Sequence, residues 1–260
     1  MVNGKDSNII GIVSAKGGVG KTTTTLNLGA AAVNLFKKSV LILDTNINTG
    51  NLGLNLGLTY HPVSMYGIIK DPISILHSVH KHKSGLHVIP SSLADENKKI
   101  NPPSLKKKLK TLSNYDLVLL DSAPGVGEDA KIAIRAADSL LIVVTPDFPT
   151  IITALKTIEL AKKYRVPING IILNMVKNRR YEKTVKYIES SLGLPVLSVV
   201  PYDEAVPKSV AARMPSVLFE SRSPSSVSFK KLSALMLNKK IKKQNAFIRI
   251  AYALLGKTKL

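Results

Sequence analysis

Residues 14–23 read Ser-Ala-Lys-Gly-Gly-Val-Gly-Lys-Thr-Thr and follow directly on the apolar run Ile9-Ile10-Gly11-Ile12-Val13. No other stretch restricts the fold so tightly, because it predicts a buried strand, a glycine-rich turn and the start of a helix in immediate succession. The pattern Gly17, Gly18, Gly20, Lys21, Thr22 is that of a phosphate-binding loop. Glycines have no Cβ, so the backbone from Gly17 through Val19 to Thr23 can wrap an anion and turn its N–H groups inward. The helix that starts near Lys21 adds the positive end of its dipole. Lys21 is expected to reach the β- and γ-phosphates, and the Thr22 hydroxyl to ligate Mg²⁺. The loop departs from the ordinary pattern twice. Ala15 stands where the first glycine is usual, and a second lysine, Lys16, lies inside the turn.

Further along, short apolar runs alternate with helix-like periodicity. Strands are predicted over 9–14, 40–44, 86–90, 117–121, 140–145, 168–173 and 196–200, and helices over 21–36, 104–112, 128–136, 150–164, 182–192 and 225–237. The strands are apolar on both faces, as buried parallel strands are. The alternation predicts an α/β fold: a doubly wound, mostly parallel sheet flanked by helices, of the P-loop nucleoside-triphosphatase type. With 260 residues, 45% of them hydrophobic, the chain can build such a core. It has no Cys, which excludes disulfides, Cys-ligated zinc and a protein-bound Fe–S cluster. No apolar run approaches the roughly 20 residues that span a bilayer, and the first residues lack the apolar core of a signal peptide, so a cytoplasmic protein is expected.

Two acidic residues close strands on the edge that carries the loop. Val40-Leu41-Ile42-Leu43 ends in Asp44-Thr45-Asn46, and Leu117-Val118-Leu119-Leu120 ends in Asp121-Ser122-Ala123-Pro124-Gly125. Asp121 after four apolar residues fits a Walker B aspartate, which supports Mg²⁺ directly or through water. Gly125 and Gly127 are expected to place an N–H near a γ-phosphate.

Together these segments resemble the MinD/ParA family of deviant Walker A ATPases, in the SIMIBI class of P-loop proteins, with MinD proteins the nearest likeness. Lys16 through Thr23 resembles the family's loop, and residues 44–58 its switch I. Residues 121–128 resemble its Walker B and switch II, and Thr145-Pro146-Asp147 its next strand end. The resemblance implies ATP and Mg²⁺ as cofactors, with Thr22, Asp44 and Asp121 at the metal. It implies that Asn174 recognises adenine and that Pro201 and Asp203, in Val200-Pro201-Tyr202-Asp203, line the base. It makes Lys16 the signature lysine, which crosses the interface of an ATP-bound homodimer to the partner's phosphates. Lys16, Lys21, Asp44, Asn46 and Asp121 are then the catalytic set. The family usually carries Asp where this chain has Asn46. An amide keeps the shape and loses the anion, so slow hydrolysis is expected.

The net charge of +20 implies an anionic partner (nucleic acid, a membrane surface or an acidic protein) or a lysine-rich solvated surface. From Ser221 onward there are ten Lys or Arg and no Asp or Glu. Residues 244–260 are read as an amphipathic segment separate from the ATPase domain of residues 1–243. At 100° per residue Phe247, Ile248, Ile250, Leu254 and Leu255 share one face, flanked by lysines. That pattern suits a helix lying on an anionic membrane, and MinD proteins carry such a helix. It also suits a terminal helix packed on the protein's own sheet. DNA is the other candidate surface, through Lys106, Lys107, Lys108, Lys110, Lys177, Arg179 and Arg180. His77, His80 and His82 suggest a basic loop before they suggest a metal site. The leading expectation is a MinD-like positioning ATPase, at the inner face of the cell membrane and dependent on an activating partner protein. The alternatives are a ParA-like DNA-partitioning ATPase and a nearly non-hydrolysing ATP-bound scaffold.

Overall fold

A computed structural model describes residues 7–47, 50, 52–58, 78–91, 100–112 and 114–239. The segment 244–260 and His77 lie outside the described residues. The elements are β1 (Asn8–Val13), α1 (Lys21–Phe36), β2 (Val40–Asp44), α2 (Leu52–Leu56), β3 (His80–Lys81), β4 (His87–Ile89), α3 (Pro102–Lys110), β5 (Leu117–Asp121) and α4 (Glu128–Ala136). They continue with β6 (Ser139–Val144), α5 (Phe148–Lys163), β7 (Ile168–Val176), α6 (Val185–Leu192), β8 (Val196–Pro201), α7 (Ala205–Ala211), α8 (Ser216–Phe219) and α9 (Pro224–Met236).

The strands form one sheet in the order β3-β4-β2-β5-β1-β6-β7-β8. All neighbours are parallel except the short edge pair of β3 and β4. The predicted doubly wound sheet is therefore present, with β3 as an addition. β1 lies inside the sheet between β5 and β6, so the turn that leaves it opens where the winding changes direction, the place where such sheets bind ligands.

Each strand is apolar on both faces because each face meets helices. Ile9, Leu41, Leu43, Val118, Leu120 and Ile142 pack with Leu105, Ile132, Ile151 and Ile188 of α3, α4, α5 and α6. Their neighbours along the strands, Ile10, Ile42, Leu119 and Val143, point the other way, onto Leu28 of α1 and Phe229 and Leu232 of α9. Fully burying one such side chain contributes about 1.5–3 kcal/mol, so the two layers, rather than the loops, hold the strand ends in place.

Two of the lysines read as candidate DNA contacts have a structural role. Lys106 and Lys110 reach Asp138 at 3.1 and 2.7 Å. They also donate to the Ala137 and Ser7 carbonyls, each at 2.8 Å. They pin α3 to the start of β6.

Candidate functional site

The turn after β1 runs into α1 through Gly20, which is left-handed at φ 92°. A Cβ there would also lie 2.2 Å from Asn174 Nδ2, so both backbone angle and space require glycine at this position. Lys21, 7% exposed, folds back so that its Nζ donates to the Lys16 carbonyl at 3.3 Å. Burial lowers its pKa, and the charge of Asp121 opposes that effect.

Asp44 and Asp121 are direct neighbours in the register of β2 and β5. Both carboxylates are buried. Burial first, and then the charge of Asp121, push Asp44 up to about 7. It accepts from the Asn46 amide at 3.0 Å, the Leu52 amide at 3.3 Å and Ser91 Oγ at 3.3 Å. Burial also pushes Asp121 up, to about 6, against hydrogen bonds from Thr22 Oγ1 at 2.6 Å and Thr25 Oγ1 at 3.2 Å and the charge of Lys21. Two neighbouring buried carboxylates beside a hydroxyl are an oxygen donor set suited to a hard divalent cation such as Mg²⁺. Thr22, Asp44 and Asp121 are thus brought together.

A cleft of about 430 Å³ opens over the loop, lined by Gly17, Gly18, Gly20, Lys21, Thr22 and Thr23. Asn46, Leu54, Asn55, Ser122, Pro124 and Met175 complete its walls. The remaining loop residue, Val19, is buried beneath the turn.

Lys16 points away from this cleft. Its Nζ meets Asp147 Oδ1 at 3.1 Å with both side chains about two-fifths exposed. Asp147 caps α5, accepting from the Thr150 amide at 3.0 Å and from the hydroxyls of Thr150 and Thr145. Partial burial alone would raise its pKa. The bonds from Thr145, Thr150 and Lys16 outweigh burial and hold it at about 2.

Two of the three residues assigned to the base have other partners in the structure. Asn174 Nδ2 donates to the Val19 carbonyl at 2.8 Å and braces the loop from below. Asp203 accepts from the Ala205 amide at 2.9 Å and from the amide and hydroxyl of Ser225 at 3.0 and 2.8 Å, tying α7 to α9. Pro201 ends β8. None of the three lines the cleft over the loop. Sequence reasoning gave no role to Ser91, Ser122, Asp147 or Met175. Asp147 had a readable signal, an acidic residue just before the Phe148-Pro149 helix start. Met175, at φ 60°, had none, since its side chain does not favour that angle. Among the described residues no group of three or more His, Cys, Asp or Glu could hold a metal, and His82 Nδ1 is bonded to Ser84 Oγ at 2.8 Å.

A parallel sheet carrying this loop, with two acidic strand ends beside it, defines a P-loop nucleotide-binding protein. Residues 10–217 match the family model described as the CobQ/CobB/MinD/ParA nucleotide binding domain, and the chain belongs to that family. It is 35% identical over 246 residues to an uncharacterised ATP-binding protein of Methanocaldococcus jannaschii, covering 92% of this chain and 93% of the relative. It is 30% identical to the septum site-determining protein MinD of Thermotoga maritima, over 97% of this chain and 96% of that one. Among solved structures, the cell division ATPase MinD of Pyrococcus furiosus superposes with a TM-score of 0.80 at 27% identity, covering 89% of this chain and 99% of that one.

Proposed function

We propose that the chain is a MinD-like ATPase that binds Mg²⁺ and ATP over the loop 16–23 and uses the nucleotide to switch between monomer and homodimer. The observation that carries this reading is the division of labour between its two loop lysines. Lys21 is buried within the loop, where a phosphate of the same subunit would sit. Lys16 stands at the rim on Asp147, free to exchange that exposed, weakly held partner for a phosphate of a second subunit. Phe148, Ile152 and Leu155 leave an apolar stripe exposed along α5, beginning beside that ion pair, which suits a face that a second copy covers.

In this reading Gly17–Thr23 amides and Lys21 hold the phosphates, and Thr22, Asp44 and Asp121 hold the cation. Bound Mg²⁺ neutralises charge that builds on the transferring phosphoryl group. Asn46 lines the cleft at the place of a water-orienting carboxylate and cannot accept a proton as a carboxylate does, so turnover is slow. The dimer, aided by residues 244–260, attaches peripherally to an anionic membrane inside the cell, and an activating partner protein triggers hydrolysis.

Light scattering with Mg-ATP tests the switch. The wild-type chain doubles its mass with ATP and not with ADP, and Lys16→Ala stays monomeric while still binding ATP. Normal dimerisation of Lys16→Ala overturns the role in trans.

A further inference from the structure

Ser122 follows Asp121 at the carboxyl end of β5 and is 3% exposed. Its amide is taken by the Ile12 carbonyl at 3.2 Å. Its hydroxyl, though buried, has no hydrogen-bond partner. Three other described hydroxyls share that condition, those of Thr24, Thr157 and Ser233, and they sit within α1, α5 and α9. Ser122 alone of the four lines the cleft over the phosphate loop. A buried hydroxyl without a partner is unfavourable and calls for an explanation, and at the wall of a cleft a ligand atom can supply the missing bond.

The position within the cleft says which atom. In such loops the backbone amides cradle the inner phosphates and the lysine reaches toward the outer ones. Ser122 directly follows Asp121, whose carboxylate accepts from Thr22 Oγ1 at 2.6 Å, and it lines the same cleft as Lys21, Asn46 and Pro124, which sets it near the metal-bridged outer phosphates. We propose that Ser122 is a positioning residue that donates its hydroxyl hydrogen to an oxygen of the terminal phosphate, and so distinguishes a nucleoside triphosphate from a diphosphate. The inference rests on reading the cleft as an ATP site. It also gives the exchange of carboxylate for amide at Asn46 a second consequence. Asn46 and Ser122 offer the cleft an uncharged amide and a hydroxyl, which favours holding the triphosphate over repelling it.

The test is calorimetric titration of the full chain with Mg-ADP and with a non-hydrolysable Mg-ATP analogue, using wild type, Ser122→Ala and Ser122→Thr. The melting temperature of each ligand-free protein is measured alongside. Ser122→Ala is expected to weaken the triphosphate analogue about tenfold, as loss of one hydrogen bond to a charged group does, with ADP affinity unchanged. Its ligand-free melting temperature is equal to or above that of wild type, because an unpartnered buried hydroxyl has been removed. Ser122→Thr restores triphosphate affinity. Equal losses for both nucleotides, or no loss for either, overturn the proposal. A wild-type chain that binds neither nucleotide overturns the reading of the cleft itself.

Discussion

Asp44 and Asp121 are held above the ordinary carboxylate range, at about 7 and about 6, with burial the main cause for both. The folded, cation-free protein therefore keeps protons that the unfolded chain gives up near pH 4. For a group whose folded pKa is raised, the stabilising contribution is complete below the unfolded value and is lost as the pH rises through the folded one. The window is thus from about pH 4 to pH 7. We expect ligand-free Asp44→Asn to be more stable than wild type at pH 8, by on the order of a few kcal/mol. The advantage should vanish toward pH 4, as read by urea denaturation. An advantage independent of pH would rule out charge as its cause. Asn46 carries the second expectation at this scale. Asn46→Asp supplies a proton-accepting carboxylate inside the cleft and should raise steady-state phosphate release by on the order of tenfold or more. An unchanged or lower rate would show that the position takes no part in the chemistry.

At the scale of elements, Asp147 joins three roles in one side chain: the cap of α5, the anchor of Lys16 and the acceptor of the Thr145 and Thr150 hydroxyls. Asp147→Ala removes all three and should cost about 1 kcal/mol or more, the usual worth of an N-cap. Asp147→Asn keeps a capping oxygen and loses mainly an exposed ion pair, so it should stay within a few tenths of a kcal/mol of wild type. Denaturant midpoints for the two variants decide, and equal losses would mean that the ion pair, not the cap, holds the end of α5. Elements of this kind show where sequence reading stopped. The long parallel strands were legible because strands covered on both faces must be apolar along their whole length. The short β3, α2, α7 and α8 were not, since two to seven residues carry no resolvable period. Helix starts slipped where proline opens the helix. α3, α5 and α9 begin at or beside Pro102, Pro149 and Pro224, behind Asn101, Asp147 and Ser223 as caps. The loop, Asp44 and Asp121 were legible at the site, because each is fixed by its own strand end. Ser122, Met175 and Ser91 were not, because their importance comes from what the tertiary fold brings against them.

For the whole molecule, the charge of +20 sets a membrane, DNA and a merely solvated surface against one another. Lys106 and Lys110 are committed to Asp138, whereas Lys177, Arg179 and Arg180 stand exposed on the segment after β7. Among the described residues no helix is long and apolar enough to cross a membrane. Co-sedimentation of the full chain and of a chain ending at residue 243, with anionic liposomes or DNA and with ADP or ATP, discriminates. We expect ATP-dependent pelleting with liposomes that truncation abolishes and that salt weakens. Pelleting with DNA that survives truncation would favour the partitioning alternative.

The contact between Asn174 and the Val19 carbonyl has a bearing on how the protein waits for its ligand. A turn containing three glycines has, by composition, the greatest backbone freedom of any segment near the sheet. Tethered to β7 it takes on the stiffness of the strand, and it can loosen only when the end of that strand gives way with it. On the proposed function, a cradle held this way presents an arriving phosphate with amides already aimed, with little entropy left to lose in arranging them.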